Sequence, residues 1–168
     1  TLSSVNRRGE FAKVEEAIRR IKAIGGIHLH LDLIAGLPLE DYNLFSRSFN
    51  DVYALQPDML QIGFLKLLKG TQLREESKLY GYIYRRMPPY EVITNSYISA
   101  EGLVRIKMIE EVLDLYYNRT GFKHTIEAAL TYYDNAFDFY EELAVWYYSR
   151  GHQKKSHRKE DLYRILRS

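Results

Sequence analysis

Residues 27–38, IHLHLDLIAGLP, alternate apolar and polar side chains and then stop at a glycine and a proline. Ile27, Leu29, Leu31 and Leu33 fall on one face, with His28, His30, Asp32 and Ile34 on the other. A period of two is the signature of a strand with one greasy and one polar side. Gly36 then lets the backbone approach a ligand closely, and Pro38 ends the strand ahead of a helix.

The flanking pattern switches to a helical period. In EFAKVEEAIRRIKA (10–23), Phe11, Val14, Ala17, Ile18 and Ile21 recur at helical spacing, and Gly25-Gly26 follow as a stop. After the GLP turn a second helix is predicted over about 40–55. Leu44, Phe45, Phe49, Val52 and Tyr53 form its buried stripe, and Glu40 and Asp41 suit its first turn. Pro57 resets the chain before a second strand, DMLQIGFL (58–65), a loop KLLKGT, and a short charged helix QLREESKLYG ending near Gly81. Helices alternating with strands predict βα units in a parallel sheet, an α/β fold with the polar strand face turned inward as in a partial barrel.

Past Tyr82 the pattern changes. An extended piece, RRMPPYEVI, leads to a long helix from Ser99, its N-cap, to Asn118, with Leu103, Ile106, Ile109, Leu113 and Tyr116 periodic. Helices are also predicted over about 123–133 and 135–149. Many of the 15 tyrosines lie here, in YYN, TYYDNAFDFYEE and WYYSRG, where a ring can bury area while its hydroxyl finds a partner. The chain therefore divides into 1–75, a set of βα units, and 76–168, a mainly α-helical extension, the two sharing one compact body.

Composition narrows the function classes. With 24 Lys and Arg against 22 Asp and Glu, no global field draws the chain to nucleic acid or to an acidic membrane. The one basic run, RGHQKKSHRKE (150–160), lacks interleaved aromatics for base stacking and reads as a solvated loop. There is no cysteine, so disulfides, thiolate zinc sites and cysteine-held iron–sulfur clusters are excluded within this sequence. No apolar run approaches the ~20 residues of a membrane span, and TLSSVNRRGEF is too polar for a secretory signal, so a cytoplasmic protein is expected. The sequence lacks an initiator methionine and stops at DLYRILRS with an amphipathic pattern still running, which suggests a piece of a longer protein.

The candidate site residues lie on the polar strand face. His28, His30 and Asp32 are metal-ligand types, yet His28 sits ~13 Å below Asp32 at ~3.3 Å per residue, too far to share one ion easily. The histidines are read by default as polar fillers of a closed sheet, each needing hydrogen-bond partners. Asp32 and the turn after it stand where ligands bind in α/β folds, at the carboxyl ends of strands. Gln61 and Gly63 share one face of the second strand, so Gln61 is a second candidate for a ligand or for an interior hydrogen bond.

LDLIAGLPLEDYNLFSRSF resembles the strand-and-loop of the radical S-adenosylmethionine (radical SAM) superfamily, in which a D-x-I-x-G-x-P-like segment lies against the adenine of the cofactor. TLSSVNRRGEF, LQPDMLQIGFLKLLKGTQLR, YGYIYRRMPPYEVI and LYYNRTGF, in that order, resemble one branch of it, whose members carry an amino-terminal cobalamin-binding-type domain, a partial barrel and a helical extension. The layout is shared with the anaerobic magnesium-protoporphyrin IX monomethyl ester oxidative cyclases. The resemblance implies S-adenosylmethionine and a four-iron four-sulfur cluster in the whole protein, with cobalamin as an option. No cofactor is expected on this chain alone, which is then catalytically incompetent. It implies that Ile34 and Gly36 pack against adenine while Leu37 and Pro38 shape the turn. Leu39 stands where the family often has glycine, and Glu40 matches its acid. The resemblance offers Lys66 or Lys69 a carboxylate and Asn6-Arg7 the opening of a barrel helix, whereas the residues alone read as solvated surface lysines and as a helix-start cap with a surface charge. The partners implied are the amino-terminal barrel and cobalamin-type domain of the same protein and a small-molecule substrate, with no nucleic acid and no membrane.

Two other classes stay open at this stage. The aromatic extension could be an interaction or homo-oligomerisation module, or His28, His30 and Asp32 could serve a metal-dependent hydrolase.

Overall fold

In the computed structural model, which describes residues 11–119 and 121–167, the opening alternation becomes a strand only over its second part, β1 (His30–Ala35). It pairs in parallel with β2 (Met59–Phe64), in a register running from His30 opposite Met59 to Ala35 opposite Phe64. Pairing decides where β1 starts: Met59 N donates to Leu29 O at 3.1 Å, and Leu29 N is held by Asp58 Oδ2 at 2.7 Å. Ile27 and His28 have no strand opposite them and lie exposed.

Between the strands runs α2 (Tyr42–Ala54), which starts because the Asp41 carboxylate accepts from Leu44 N at 2.7 Å. Phe45 and Phe49 are buried, Val52 and Tyr53 half-buried, and Leu44 faces outward, so the stripe is narrower than its spacing predicts. Ahead of the sheet lies α1 (Phe11–Ile24), tied to the end of α2 by Lys22 Nζ, which donates to Leu55 O and Gln56 O at 2.8 Å each.

The described residues hold these two parallel strands and, apart from them, an antiparallel pair, β3 (Ile83–Tyr84) and β4 (Val92–Thr94). RRMPPYEVI is thus half of a hairpin rather than a lone extended piece. The fold is mixed α/β and mainly helical, and two parallel strands are the extent of the expected barrel among the described residues. The remaining helices are α3 (Gln72–Glu75), α4 (Ala100–Leu113), α5 (Lys123–Leu130), α6 (Ala136–Ser149) and α7 (Lys159–Arg167). None of them is long and apolar enough to cross a membrane.

Ser99 caps α4 as its sequence predicts, accepting from Gly102 N at 3.0 Å. The helix does not end at Leu113 but widens into a π turn over Asp114–Asn118. That turn delivers Asn118 to the outer edge of β2. Its Oδ1 accepts from Leu60 N and its Nδ2 donates to Leu60 O, both at 3.0 Å, so one side-chain amide occupies the place a further strand would take. Tyr117 Oη also reaches back, donating to Pro57 O at 2.5 Å.

One hydrophobic core crosses the boundary at 75/76. Phe45 and Phe49 of α2, Leu60 and Ile62 of β2, Ile106 and Ile109 of α4, and Tyr140 and Tyr147 of α6 belong to a single cluster. Phe49 and Leu60 are fully excluded from water, so truncating either to alanine costs about 3–5 kcal/mol. Asn50 of α2 fastens α6, donating to Asn135 Oδ1 at 3.1 Å and accepting from Phe137 N at 2.9 Å. The tyrosines of the extension are largely drawn inward: Tyr116, Tyr140 and Tyr147 are core residues, while Tyr132 stays outside.

Candidate functional site at the carboxyl end of the parallel strands

In the β1–β2 ladder the side chains of His30, Asp32 and Ile34 lie on one face with those of Met59, Gln61 and Gly63. Leu31, Leu33, Leu60 and Ile62 project to the other side, where Leu60 and Ile62 are buried. Asp32 stands directly opposite Gln61, and Ile34 opposite Gly63. The structure thus brings together three of the candidate residues, Asp32, Ile34 and Gln61, with Asp32 and Gln61 exposed and Ile34 half-covered. Because Gly63 has no side chain, Ile34 makes a low apolar ledge beyond the acid–amide pair.

His30 belongs to the same open face, its Nε2 2.9 Å from Asp32 Oδ1. Both histidines are exposed, in contrast to the expectation of polar fillers within a closed sheet, because a two-stranded sheet leaves this face uncovered. Among the described residues, no three His, Asp or Glu side chains gather where they could hold a metal ion.

Beyond β1 the chain dives beneath the extension. Gly36, Leu37 and Pro38 are buried. Gly36 has φ +89°, a conformation that favours glycine, and a methyl there would touch Leu65, Val92 and Leu103 at 3.7 Å. Glycine at this position therefore serves the turn, and its open side faces the core of the extension rather than the exposed sheet face. Two side chains clasp the turn: Tyr82 Oη donates to Gly36 O at 2.9 Å, and Asn95 Nδ2 donates to Gly36 O at 3.2 Å and Leu37 O at 3.4 Å. Asn95 is itself fixed, its Oδ1 accepting from Tyr97 N at 2.8 Å and Ile98 N at 3.0 Å.

This clasp escaped sequence reasoning. Asn-Ser at 95–96 is a turn signal, and the side chain does close a local turn. Nothing in the spacing shows that its amide reaches a turn 59 residues earlier.

Leu39, at the position where the resembling family favours glycine, has φ +64°. The turn keeps a left-handed residue there despite the β-carbon, a strain of about 1–2 kcal/mol. Glu40 follows, only 6 % exposed, and its Oε2 has no hydrogen-bond partner. Burial pushes this carboxyl up to about 7. The spacing marked it as a first-turn acid, but Asp41 makes the cap and Glu40 turns inward.

The other sequence candidates lie apart from this end or elsewhere on the surface. Lys66 is exposed in a bridge to Glu91, and Lys69 is exposed, its Nζ 5.8 Å from the Tyr90 ring centre. Asn6 and Arg7 lie outside the described residues. The family described as "Protein of unknown function (DUF4080)" matches residues 78–168, and no curated protein matches the chain.

Proposed function

The chain belongs to the DUF4080 family, and we propose that it is the carboxyl-terminal part of a radical SAM iron–sulfur oxidoreductase, contributing one wall of the S-adenosylmethionine site. Residues 1–75 are the later βα units of a partial barrel, and 76–168, the stretch containing the family match, are the helical extension. The observation that carries this reading is the parallel β1–β2 pair, which ends in a buried I-x-G-L-P turn and bears polar side chains on an uncovered face.

The edges of the pair support it. Met59 N and Leu65 N donate to Leu29 O and Ala35 O, so the odd-numbered residues of β1 spend their backbone groups on β2. The N–H and C=O of His30, Asp32 and Ile34 therefore point to the opposite edge, where no described strand pairs. Asn118 closes the other side at Leu60. Further strands of a barrel would join at β1, and β2 would be its last strand.

The residues fit an adenosyl group in kind: Ile34 beside Gly63 offers a flat apolar surface, and Asp32 opposite Gln61 offers acceptors and an amide. Gly36, Leu37 and Pro38 act from below, setting the height of that ledge. The iron–sulfur cluster does not fit this chain, which has no cysteine. Its ligands belong to another part of the protein, as would any cobalamin-binding domain, and a cytoplasmic setting goes with this reading. The open aromatic surface that an interaction module requires is largely consumed by the core.

The test is made on the protein that includes the segment preceding residue 1. Purified without oxygen and supplied with iron and sulfide, it is expected to show a cluster signal by electron paramagnetic resonance and to cleave S-adenosylmethionine reductively. Asp32→Ala and Ile34→Asp are expected to weaken S-adenosylmethionine binding by about tenfold or more while leaving the cluster signal intact. Absence of a C-x-x-x-C-x-x-C run upstream, or no cluster after reconstitution, overturns the proposal.

A further inference from the structure

Apart from the residues used so far, the end of α4 and the loop after α6 enclose a cleft of about 490 Å³. Its two walls carry opposite charge. Glu110, Glu111 and Asp114 stand on the helical wall, with Arg119 at its far end, and Lys154 and Lys155 stand on the loop wall beside Gln153 and His157. From its composition this run, GHQKKSH, reads as a solvated loop, yet it is a built wall.

Several contacts hold that wall in place. Gly151 makes the turn with φ +74°. His152 packs its ring 5.3 Å from those of both Trp146 and Tyr147, and His157 Nε2 donates to His152 O at 2.8 Å, closing the loop on itself. The facing wall is shaped by the π turn, a widening of the helix that recurs at functional sites.

Part of the charge in the cleft is already spent, Asp114 on Arg119 and Glu111 on the Tyr148 hydroxyl, while Glu110 and the two lysines are left for a ligand. Neither Lys154 nor Lys155 makes an ion pair among the described residues, and Asp114 pairs only with Arg119 at its own end, at 3.3 Å. Burial, then the neighbouring Asp114 and Glu111, hold Glu110 above the usual carboxylate range, so a positive group placed there relieves an unfavourable concentration of acid.

We propose that this cleft binds a small zwitterion of the amino-acid class, its ammonium at Glu110 and Asp114 and its carboxylate on Lys154 and Lys155. A purely anionic ligand would leave the acid wall unmatched, and a purely cationic one would meet the two lysines. The size is ample for a free amino acid, with Tyr147 and Leu115 supplying the apolar part of the lining. This site shares no residue with the β1–β2 face and does not depend on the cofactor reading.

The probes are glycine, L-leucine, L-arginine and L-glutamate, titrated one at a time into the ¹⁵N-labelled 168-residue chain, each beside its N-acetyl and its carboxamide derivative. At least one free amino acid is expected to move the amide signals of 110–115 and 153–157. Blocking either end of that probe should weaken binding about tenfold or more. Glu110→Gln and Lys155→Met should do the same, Lys155 being an exposed side chain whose loss leaves the melting temperature unchanged. The proposal is overturned if none of the four moves those signals at millimolar concentration. It is also overturned if the blocked derivatives bind as well as the free ones, or if spermidine or inorganic phosphate binds where the amino acids do not.

Discussion

Replacing Asn118 tests whether one side-chain amide closes the edge of the parallel sheet. In Asn118→Ala, Leu60 loses an acceptor for its N–H and a donor for its C=O, both at 3.0 Å, in a residue with no exposed surface. Each such bond contributes about 1 kcal/mol net, and a buried group left unmatched adds to that, so the loss is about 2–3 kcal/mol. For a chain of this size that is roughly 5–10 °C in melting temperature. Asn118→Asp separates the two halves of the fork, since one carboxylate oxygen still accepts from Leu60 N while the other faces Leu60 O. At neutral pH this variant should be no more stable than Asn118→Ala. Protonation restores a donor, so the introduced carboxyl is expected to titrate above the ~3.9 of an unfolded aspartate, and its penalty grows as pH rises through that folded value. Urea unfolding followed by circular dichroism, at several values between about pH 4 and pH 7, measures both effects. An aspartate variant as stable as the parent at neutral pH, or an alanine variant within about 0.5 kcal/mol of it, refutes the edge role.

Other expectations follow from the turn. Glu40 titrates near 7 in the fold against 4.5 when free, so its stabilising contribution is full below about pH 4.5 and is lost as pH rises through about 7. Glu40→Gln should abolish that part of the pH dependence, on the order of 3 kcal/mol between the two limits, as read from melting curves across the range. Tyr82→Phe removes one bond to Gly36 O and should cost about 1–2 kcal/mol, while Asn95→Ala, which loses the turn carbonyls and its own local turn together, should cost about 2–4, both measured by urea titration. Gly36→Ala should destabilise by about 1–2 kcal/mol through its positive φ, whereas Leu39→Gly, also at positive φ and half exposed, should be neutral or stabilising by up to about 1 kcal/mol. Equal losses for these two in calorimetry would show that backbone strain does not govern the turn.

The local signals in this sequence were legible because they are short-ranged. The IHLHLDLI alternation, the Ser99 cap, the helices around 40–55 and 135–149 and the turn at Gly36 all depend on neighbours within a few residues, and each is present. What could not be read depends on residues far apart in the chain. The spacing that makes Asn118 the last residue of a helix does not mark it as a surrogate strand for Leu60, nor Asn50 as the group that fastens α6. Alternation continues back through Ile27 and His28, but β1 starts only where β2 lies alongside to form a ladder. Asp32, Ile34 and Gln61 could be placed on one face from their parity, but the burial of Glu40 could not, since its spacing is that of an ordinary solvated acid.

Because one core runs from Phe45 through Leu60 to Tyr147, the segment that carries the family match cannot be lifted off the rest like a tag. A cut near residue 76 would strip α4 and α6 from the aromatic side chains of α2 and from the buried face of β2, leaving two sticky halves in place of two domains. Biochemists who wish to dissect this protein should therefore look for their break ahead of Leu29, whose backbone bonds to Asp58 and Met59 open the ladder, and keep 29–167 together as the smallest unit worth expressing.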